Sequence, residues 1–330
     1  ILPGLIESCE RVYYTIGVHP EFDSRLIGWV AALRTQSGPG VHTPDEFVAM
    51  DHMLHDMRMY KSRAEISAMR KSAKLAVVAH KRAMRAVRPD MYEYELEAEF
   101  AHEFRRNDVQ HSYNPIVGSA GNGCVLHYND NNRQMQDGDL VLIDAGCEVD
   151  CYAADITRTF PVNGRFSEPQ RQLYEVVLSA HNAALEHIAP GRSWHEFHDA
   201  AVREITRGLK DLGILKGRLP DLVRQEAYRP FFMHRTGHWL GMDVHDVGDY
   251  RVADQWRMLE PGMVLTVEPG IYISEQHRRV KKCYRGIGIR IEDDVLVTRD
   301  GYEVLTRGLP VTIAEIEALM AEGRDVDRVC

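Results

Sequence analysis

The sequence predicts an α+β protein whose larger domain consists of two related halves. A pair of amphipathic helices followed by strands occurs twice along the chain, and Pro89 and Pro190 each separate the two helices of a pair. The segment GDLVLIDAG at 138–146 resembles PGMVLTVEPG at 261–270. Because each of these segments is an apolar strand that ends at an acidic residue, the repeat predicts a pseudo-twofold arrangement of two similar units.

The composition is that of an ordinary globular protein. Of its 330 residues, 44% are hydrophobic and 27% are charged, which excludes collagen-like, coiled-coil and disordered classes. The net charge of -9 disfavours nucleic acid as a partner, because phosphate backbones bind basic surfaces. The six cysteines form no C-x-x-C pair, and the sequence has neither an apolar run of about 18 residues nor a signal peptide. We therefore expect a cytoplasmic protein that does not bind a membrane.

Residues 1–60 contain too little apolar sequence for an independent core. A strand is predicted at 11–16 and a helix at 22–33, followed by a break at Gly38-Pro39-Gly40. We interpret this region as the remnant of a truncated N-terminal domain with a linker. The catalytic domain is then expected over residues 61–330.

Each half of the larger domain is predicted to begin with two helices and continue with strands. Helical spacing of apolar residues predicts the helices of the first half at 64–88 and 92–104, and those of the second half at 168–188 and 194–212. Apolar runs predict strands at 140–145, 151–160, 263–267 and 287–297.

Four acidic residues lie in these apolar strands. Asp144 and Asp155 belong to the first half, and Glu268 and Glu292 to the second. Burial of an ionised carboxylate without a partner costs several kcal/mol, and like carboxylates brought together raise each other's pKa. The sequence has no equivalent set of four buried bases, so two divalent cations are the simplest partners, and we predict a dinuclear metal centre.

Three histidines lie close together in the segment MHRTGHWLGMDVHDVGDY at 233–250. They are His234, His238 and His245, and imidazole is a common metal ligand and proton carrier. The segment lacks the H-E-x-x-H pattern of helical zinc proteases, and the chain has no G-x-S-x-G, Walker A or dinucleotide-binding motif. These absences favour metal-dependent chemistry of another type.

Together these motifs resemble the pita-bread metallopeptidase family, and within it the aminopeptidase P group of Xaa-Pro aminopeptidases. The resemblance covers residues 64–310 and rests on six strings: VLHY with His127, LIDAG, AADITRTFPVNG, HWLGMDVHDVG, VEPGIYI and GIGIRIEDDVLVT. It implies the pseudo-twofold pita-bread (creatinase/aminopeptidase) fold for the catalytic domain. It also implies that the stretch before residue 60 is the end of that family's N-terminal domain.

The resemblance implies a role for each candidate metal ligand. Asp155 and Glu292 would bridge two divalent metal ions, Asp144 would bind one of them, and His238 with Glu268 would complete the other. Carboxylates with one imidazole suit hard or borderline ions, so Mn²⁺ is expected first, with Co²⁺, Fe²⁺ or Zn²⁺ as alternatives. In this family a hydroxide that bridges the metals attacks the scissile carbonyl.

Further residues are assigned by the same resemblance to catalysis and specificity. Glu268 would carry the proton, while His127 and His245 would contact the scissile amide and stabilise the developing oxyanion. His234 would line the pocket for proline. Arg290 and Tyr250 would order the ligands and the proton path. Arg290 precedes Glu292 by two residues, so we expect both on one face of a strand.

Several alternative functions share this fold. Prolidase, which cleaves X-Pro dipeptides, tends to have a longer insertion between the ligand histidine and the next ligand glutamate, whereas His238 and Glu268 are only 30 residues apart here. Methionine aminopeptidase usually lacks the FMHRTGHWLG context. Creatinase and the metal-free pita-bread interaction proteins lack the ligands that this sequence retains. We therefore expect an aminopeptidase acting on peptides with proline in the second position, and a homo-oligomer, either dimer or tetramer, in the full-length protein.

Overall fold

The computed structural model describes residues 2–35 and 42–326 of the chain. The predicted break at Gly38-Pro39-Gly40 lies outside the described residues. The chain forms two compact units, 1–58 and 59–330, against an expected division after residue 60. That the first unit is part of a larger N-terminal domain stays a prediction.

The first unit is small. Its two short strands pair in parallel, with Arg11 opposite Glu46, and Leu26, Val30 and Leu33 form the buried face of its longest helix. The predicted strand is shorter than expected and the predicted helix longer. Its elements are α1 (Leu2–Ile6), β1 (Arg11–Tyr13), α2 (Pro20–Thr35), β2 (Glu46–Val48) and α3 (Asp51–Met59), which ends at the start of the second unit.

The first half of the second unit begins with the expected helix pair. A capping box starts the first helix, in which Ser62 and Glu65 each accept a hydrogen bond from the other's backbone N–H. This helix ends before Arg88 because a residue that precedes proline disfavours the helical conformation. The elements are α4 (Arg63–Ala86), α5 (Glu93–Arg106), β3 (Gln110–His111), β4 (Ile116–Ser119), a 3₁₀ helix (Ala120–Cys124), β5 (Leu140–Asp144), β6 (Cys147–Val149), β7 (Tyr152–Ala153) and β8 (Thr157–Pro161).

The second half repeats this order. Capping boxes at Ser167 and Ser193 start its two long helices, which pack against each other as α4 and α5 do. The elements are α6 (Glu168–Leu185), α7 (Trp194–Asp211), α8 (Leu219–Arg224), β9 (Arg251–Val252), β10 (Gln255–Trp256), β11 (Val264–Val267), β12 (Gly270–Ile273), a 3₁₀ helix (Lys282–Tyr284), β13 (Ile287–Arg290), β14 (Asp293–Val297), β15 (Tyr302–Val304) and α9 (Ile313–Val326).

In each half the chain passes between two antiparallel sheets, after β3, β5 and β7 in the first half and after β11 and β13 in the second. The orders are β4-β5-β8 and β3-β6-β7 in the first half, and β11-β14-β15 and β12-β13 in the second. In the first half the chain leaves one sheet directly after β5 and returns to it between β7 and β8. In the second half it leaves after β11 and returns between β13 and β14. This correspondence is the predicted pseudo-twofold repeat.

Two strand predictions were too long. The predicted strand at 151–160 is divided into β7 and β8, and the one at 287–297 is divided into β13 and β14. Asp155 and Glu292 lie in the two interruptions. An uninterrupted strand would keep its residues in one sheet, whereas the interruption lets the chain change sheets and turns both carboxylates toward the centre of the fold.

Candidate metal centre

A cavity of about 1200 Å³ lies in the second unit, at the points where the strands change sheets. All ten residues that the sequence analysis selected line it. They are His127, Asp144, Asp155, His234, His238, His245, Tyr250, Glu268, Arg290 and Glu292. Their functional roles stay predictions, but the fold brings together side chains that are up to 165 residues apart in the sequence, between His127 and Glu292.

The two aspartates of the first half are joined by a tyrosine. The hydroxyl of Tyr113 lies 2.5 Å from Oδ1 of Asp144 and 2.7 Å from Oδ1 of Asp155. Asp144 ends β5, whose other residues are buried, and the backbone N–H of Asp155 is directed at the carboxylate of Asp294, 3.2 Å away. Both aspartates are therefore held in fixed orientations by neighbours within the protein.

His238 connects the two halves of the site. Its Nδ1 donates to the carbonyl of Trp239 at 3.0 Å, so Nε2 is the atom that faces the carboxylates. That Nε2 lies 3.2 Å from Oδ2 of Asp155 and 3.6 Å from Oε1 of Glu268. Ligand atoms of Asp155, His238 and Glu292 lie within 4.8 Å of one another, close enough to hold one ion.

Glu292 and Asp144 are linked through Arg290. The guanidinium donates to Oδ2 of Asp144, to the hydroxyl of Thr157 at 2.9 Å and to the hydroxyl of Tyr272 at 3.1 Å. Thr157 in turn donates to Oε2 of Glu292 at 2.5 Å. Arg290 and Glu292 do not share a strand, since β13 ends at Arg290, yet both side chains point into the cavity.

Burial dominates the electrostatics of the carboxylates. It raises the pKa of Glu268 to about 7 and that of Asp144 to about 6, and, with the neighbouring acids, it holds the pKa of Glu292 well above its usual range. Burial also opposes ionisation of Asp155, but the hydrogen bond and charge of His238 outweigh it, so the pKa of Asp155 is lowered. The same pairing raises the pKa of His238 to about 9 against the effect of its burial.

The residues present fit divalent metal ions. Four carboxylates and one imidazole converge, and Arg290 contacts Asp144 and Glu292 directly. Asp155 and Glu292 are buried, and Asp144 and Glu268 are partly buried. The raised pKa values of Glu292, Glu268 and Asp144 show that Arg290 and His238 do not supply enough positive charge to keep all four acids ionised. Buried carboxylates need further partners or ligated metals. Oxygen-rich donors with a single nitrogen form the type of site that hard and borderline ions prefer.

The remaining histidines surround this cluster. The rings of His238 and His245 pack edge to face with centroids 4.3 Å apart. Nδ1 of His234 donates to the carbonyl of Arg235 at 2.7 Å, and its Nε2 accepts from the hydroxyl of Tyr272 at 2.8 Å. Burial lowers the pKa of His234 to about 3, so this ring is neutral. His127 lies on an exposed loop at the rim.

Tyr250 packs among aromatic residues next to His238. Its ring stacks on Trp239 with centroids 5.6 Å apart and also contacts Trp194. Its hydroxyl accepts a hydrogen bond from the backbone N–H of Trp239 at 3.3 Å. Tyr250 thus holds the backbone next to His238. That it orders the metal ligands and the proton path stays a prediction.

Sequence reasoning missed three residues of the site: Tyr113, Thr157 and Tyr272. Tyr113 lies in a short loop with no motif around it, so the sequence carries no signal for its contact with both aspartates. Thr157 and Tyr272 were within the quoted strings AADITRTFPVNG and VEPGIYI. Alternation in the strands would have placed Thr157 on the same side as Asp155, which was a usable signal.

Comparison with known proteins agrees with this site. The sequence model of Metallopeptidase family M24 matches residues 67–299. Xaa-Pro aminopeptidase of Escherichia coli is 48% identical over 321 residues, which are 97% of this chain and 72% of that protein. The structure of Pseudomonas aeruginosa aminopeptidase PepP superposes with a TM-score of 0.96 at 57% identity and covers 98% of this chain and 74% of its own. The chain belongs to metallopeptidase family M24.

A further relative is a dipeptidase. Human Xaa-Pro dipeptidase is 40% identical over 300 residues, a match that covers 81% of this chain and 61% of that protein. In the described part of the chain, no helix has the length and apolarity that a membrane crossing requires.

Proposed function

We propose that this chain is a metal-dependent Xaa-Pro aminopeptidase that removes the first residue from peptides with proline in the second position. The observation that carries the proposal is the cavity in which four carboxylates converge with His238, in a chain similar over almost its whole length to Xaa-Pro aminopeptidases. Retention of every ligand disfavours a metal-free interaction protein on the same fold.

Two divalent ions would be held by Asp144, Asp155, His238, Glu268 and Glu292. We propose Mn²⁺ as the ion, with Co²⁺, Fe²⁺ or Zn²⁺ as alternatives, because the donors are mainly carboxylate oxygens. When bound, such ions polarise the scissile carbonyl and supply an activated water as nucleophile at neutral pH.

The protein's own groups orient the substrate and move the proton. Glu268 faces the cavity with Oε2 3.5 Å from Nδ1 of His234, and we assign it to carry a proton toward the leaving amine. His245 and His127 would donate hydrogen bonds to the scissile amide as negative charge develops on its oxygen. Arg290 holds Asp144 in place for these steps.

Proline in the second position is explained by a pocket that binds the ring itself. Proline fixes φ and removes the amide hydrogen, so a peptidase that binds the backbone through that N–H rejects this bond. His234, neutral and packed edge to face against Phe232, offers an apolar ring face at the cavity wall. We propose that His234, His245 and Tyr250 form the walls of this pocket.

Aminopeptidase activity is favoured over dipeptidase activity. The E. coli aminopeptidase aligns over 321 residues with 97% of this chain, whereas the human dipeptidase aligns over 300 residues with only 81% of it. Because 81% of the 330 residues of this chain is fewer than 300, the alignment with the dipeptidase includes residues that this chain lacks. The short connection from His238 to Glu268 leaves the cavity open for a peptide that continues beyond proline.

The test is a comparison of three short peptides with added Mn²⁺. We expect kcat/KM to be higher for Ala-Pro-Ala than for Ala-Pro and Ala-Ala-Ala. A preference for Ala-Pro would reassign the chain to prolidase activity, and equal rates on the two tripeptides would remove the proline pocket from the proposal.

Location and assembly belong to the same proposal. A cytoplasmic location is supported by the five free cysteines among the described residues. We also propose that the full-length protein forms a dimer or tetramer, which light scattering of that protein would test.

A further inference from the structure

The loop that carries His127 has little regular structure of its own. Between β4 and β5 the chain runs through residues 120–139 with one short 3₁₀ helix, Ala120–Cys124. The side chain of His127 is exposed and forms no hydrogen bond within residues 2–35 and 42–326. The position of this imidazole therefore depends on whatever anchors the surrounding backbone.

Glu93, the first residue of α5, provides that anchor. Its side chain is completely buried and receives five hydrogen bonds, all from residues 119–133. Oε1 accepts from the N–H of Ser119 at 2.6 Å, the hydroxyl of Ser119 at 2.7 Å and Nδ2 of Asn122 at 3.2 Å. Oε2 accepts from the hydroxyl of Tyr128 at 2.8 Å and the N–H of Arg133 at 2.9 Å.

Tyr128 connects this carboxylate to His127, the preceding residue. The ring of Tyr128 packs against the small cluster of Ile116, Leu142 and Tyr272. Tyr272 is the residue that donates to His234 and accepts from Arg290 in the metal site. The hydroxyl of Tyr128 thus reaches Glu93 while its ring contacts the wall of the cavity, and the backbone at 127 and 128 is held between them.

An acid that served only helix α5 would not make these contacts. Acidic residues in a first helical turn stabilise the helix through its own N–H groups, and Glu95 already does so by accepting from the N–H of Tyr92 at 2.7 Å. Glu93 points instead at a different segment. Asn131 gives the loop a second attachment by donating to Glu97 and to the carbonyl of Pro115.

We propose that Glu93 is a positioning residue for catalysis: its buried carboxylate holds the 119–133 loop so that His127 meets the substrate at the rim of the cavity. This inference rests on the role of His127 in the proposed function. Glu93 is not among the residues that line the cavity, and the five hydrogen bonds of its carboxylate come from residues other than the predicted metal ligands.

Glu93→Gln is the informative substitution. Both carboxylate oxygens accept from donors, and glutamine replaces one of them with an NH₂ group that is itself a donor. At least two of the five hydrogen bonds are therefore lost, while size and shape are kept. Because a misplacement of about 1 Å can cost about 10²-fold in rate, we expect kcat/KM for Ala-Pro-Ala to fall by about that factor with metal content unchanged.

The kinetic test is a double-mutant cycle with His127→Ala. If Glu93 acts through His127, Glu93→Gln should lower kcat/KM in the native background but change it less than about twofold in the His127→Ala background. Glu103→Gln is the matched control and should leave kcat/KM unchanged. Glu103 is a buried glutamate on the same helix, and its carboxylate contacts Asn107 and Arg106. Multiplicative effects of Glu93→Gln and His127→Ala would overturn the proposal.

Amide hydrogen exchange separates this inference from the proposed function. We expect Glu93→Gln to accelerate exchange in residues 119–133 and to leave β5 and β8 unchanged, whatever peptide the enzyme cleaves. If His127→Ala has no kinetic effect but exchange in the loop responds, the role of His127 is wrong and the anchoring by Glu93 stands. Unchanged exchange would overturn the anchoring. If Glu93→Gln does not fold, Tyr128→Phe replaces it, because this substitution removes one of the five donors to Glu93. Its effects are measured by the same kinetic cycle with His127→Ala and by amide hydrogen exchange.

Discussion

At the residue scale, the buried ionisable side chains of this protein lie in two kinds of environment, one rich in charged groups and one in which the hydrogen-bond partner is uncharged. Glu292 lies among other acids with Arg290 at 3.9 Å, a setting that suits a bound cation. His80, in contrast, is fully buried against Phe100 and hydrogen-bonds through Nε2 to the carbonyl of Ala145 at 3.0 Å. The environment of Glu292 therefore predicts metal binding, and that of His80 predicts that the free energy of unfolding depends on pH.

His80 should make the folded protein less stable as the pH falls. Burial lowers the pKa of His80 to about 3, so below about pH 6.5 the unfolded chain binds a proton that the folded chain does not. Relative to His80→Gln, which does not titrate, the wild-type free energy of unfolding should fall by about 1.4 kcal/mol per pH unit between those values. Urea unfolding from pH 7 to pH 4 measures it. His102→Gln, on the exposed face of α5, should behave as wild type.

Glu292→Gln should remove at least one metal ion. The amide keeps the shape of the side chain but loses the negative charge that Glu292 would supply as the proposed bridging ligand. Loss of an outer partner of a ligand already costs about 10–100-fold in affinity or activity, so loss of a ligand should cost at least that. Elemental analysis and kcat/KM on Ala-Pro-Ala measure both effects, with Glu303→Gln, at a partly exposed position, as control. Two tightly bound ions together with normal turnover would exclude Glu292 from the site.

His245→Ala should leave the metal content intact and lower kcat. His245 lies beside His238 but contributes no ligand atom to the cluster of Asp155, His238 and Glu292. Removal of one donor to a developing oxyanion costs about 10²-fold in kcat. If metal is lost on dialysis of this variant, His245 belongs among the ligands instead.

At the scale of elements, the interrupted strands are held together by a buried arginine. Arg158 in β8 donates to the carbonyl of Glu292 at 2.7 Å and to Oδ1 of Asp293 at 2.8 Å, both in the second half of the domain. It also donates to the carbonyl of Pro310 at 3.0 Å. One side chain of the first half thus supports the interruption that carries Glu292.

Arg158→Met should destabilise the fold strongly. Removal of one partner of a buried ion pair costs about 3–5 kcal/mol, and of the described residues Asp293 would keep only His181 and the hydroxyl of Thr306 as polar neighbours. The exposed pair of Arg70 and Glu303 is the control, and Arg70→Ala should cost less than about 1 kcal/mol. Chemical denaturation with metal present compares the two. Equal small losses would mean that Arg158 does not join the halves.

At the scale of the whole molecule, the metal ions should contribute to stability as well as to catalysis. The five candidate ligands come from both halves, so ions bound there would link strands β5, β8, β11 and β14. Chelation should lower the midpoint of thermal unfolding, because clustered carboxylates then repel each other. Mn²⁺ at 100 times its Kd should restore about 2.7 kcal/mol per site by mass action. A midpoint indifferent to both chelator and Mn²⁺ would contradict a clustered site.

The sequence by itself determined the repeat of helices and strands, because apolar periodicity and proline positions are local signals. It also identified ten of the residues that line the cavity. Acids in apolar strands and closely spaced histidines stand out by themselves, and the family resemblance added His127, Tyr250 and Arg290. The same strings predicted the fold and family, which the family model and the related structures confirmed. The roles of the individual residues stay predictions.

Only the tertiary structure decided where the chain changes sheets and what surrounds the acids. Period-two alternation cannot distinguish one long strand from two strands in different sheets, so the interruptions at Asp155 and Glu292 were not predicted. The contact of Tyr113 with two aspartates and the five donors around Glu93 join residues from separate elements. No local pattern records such contacts, because they arise when distant segments pack together and each buried polar group must find a partner.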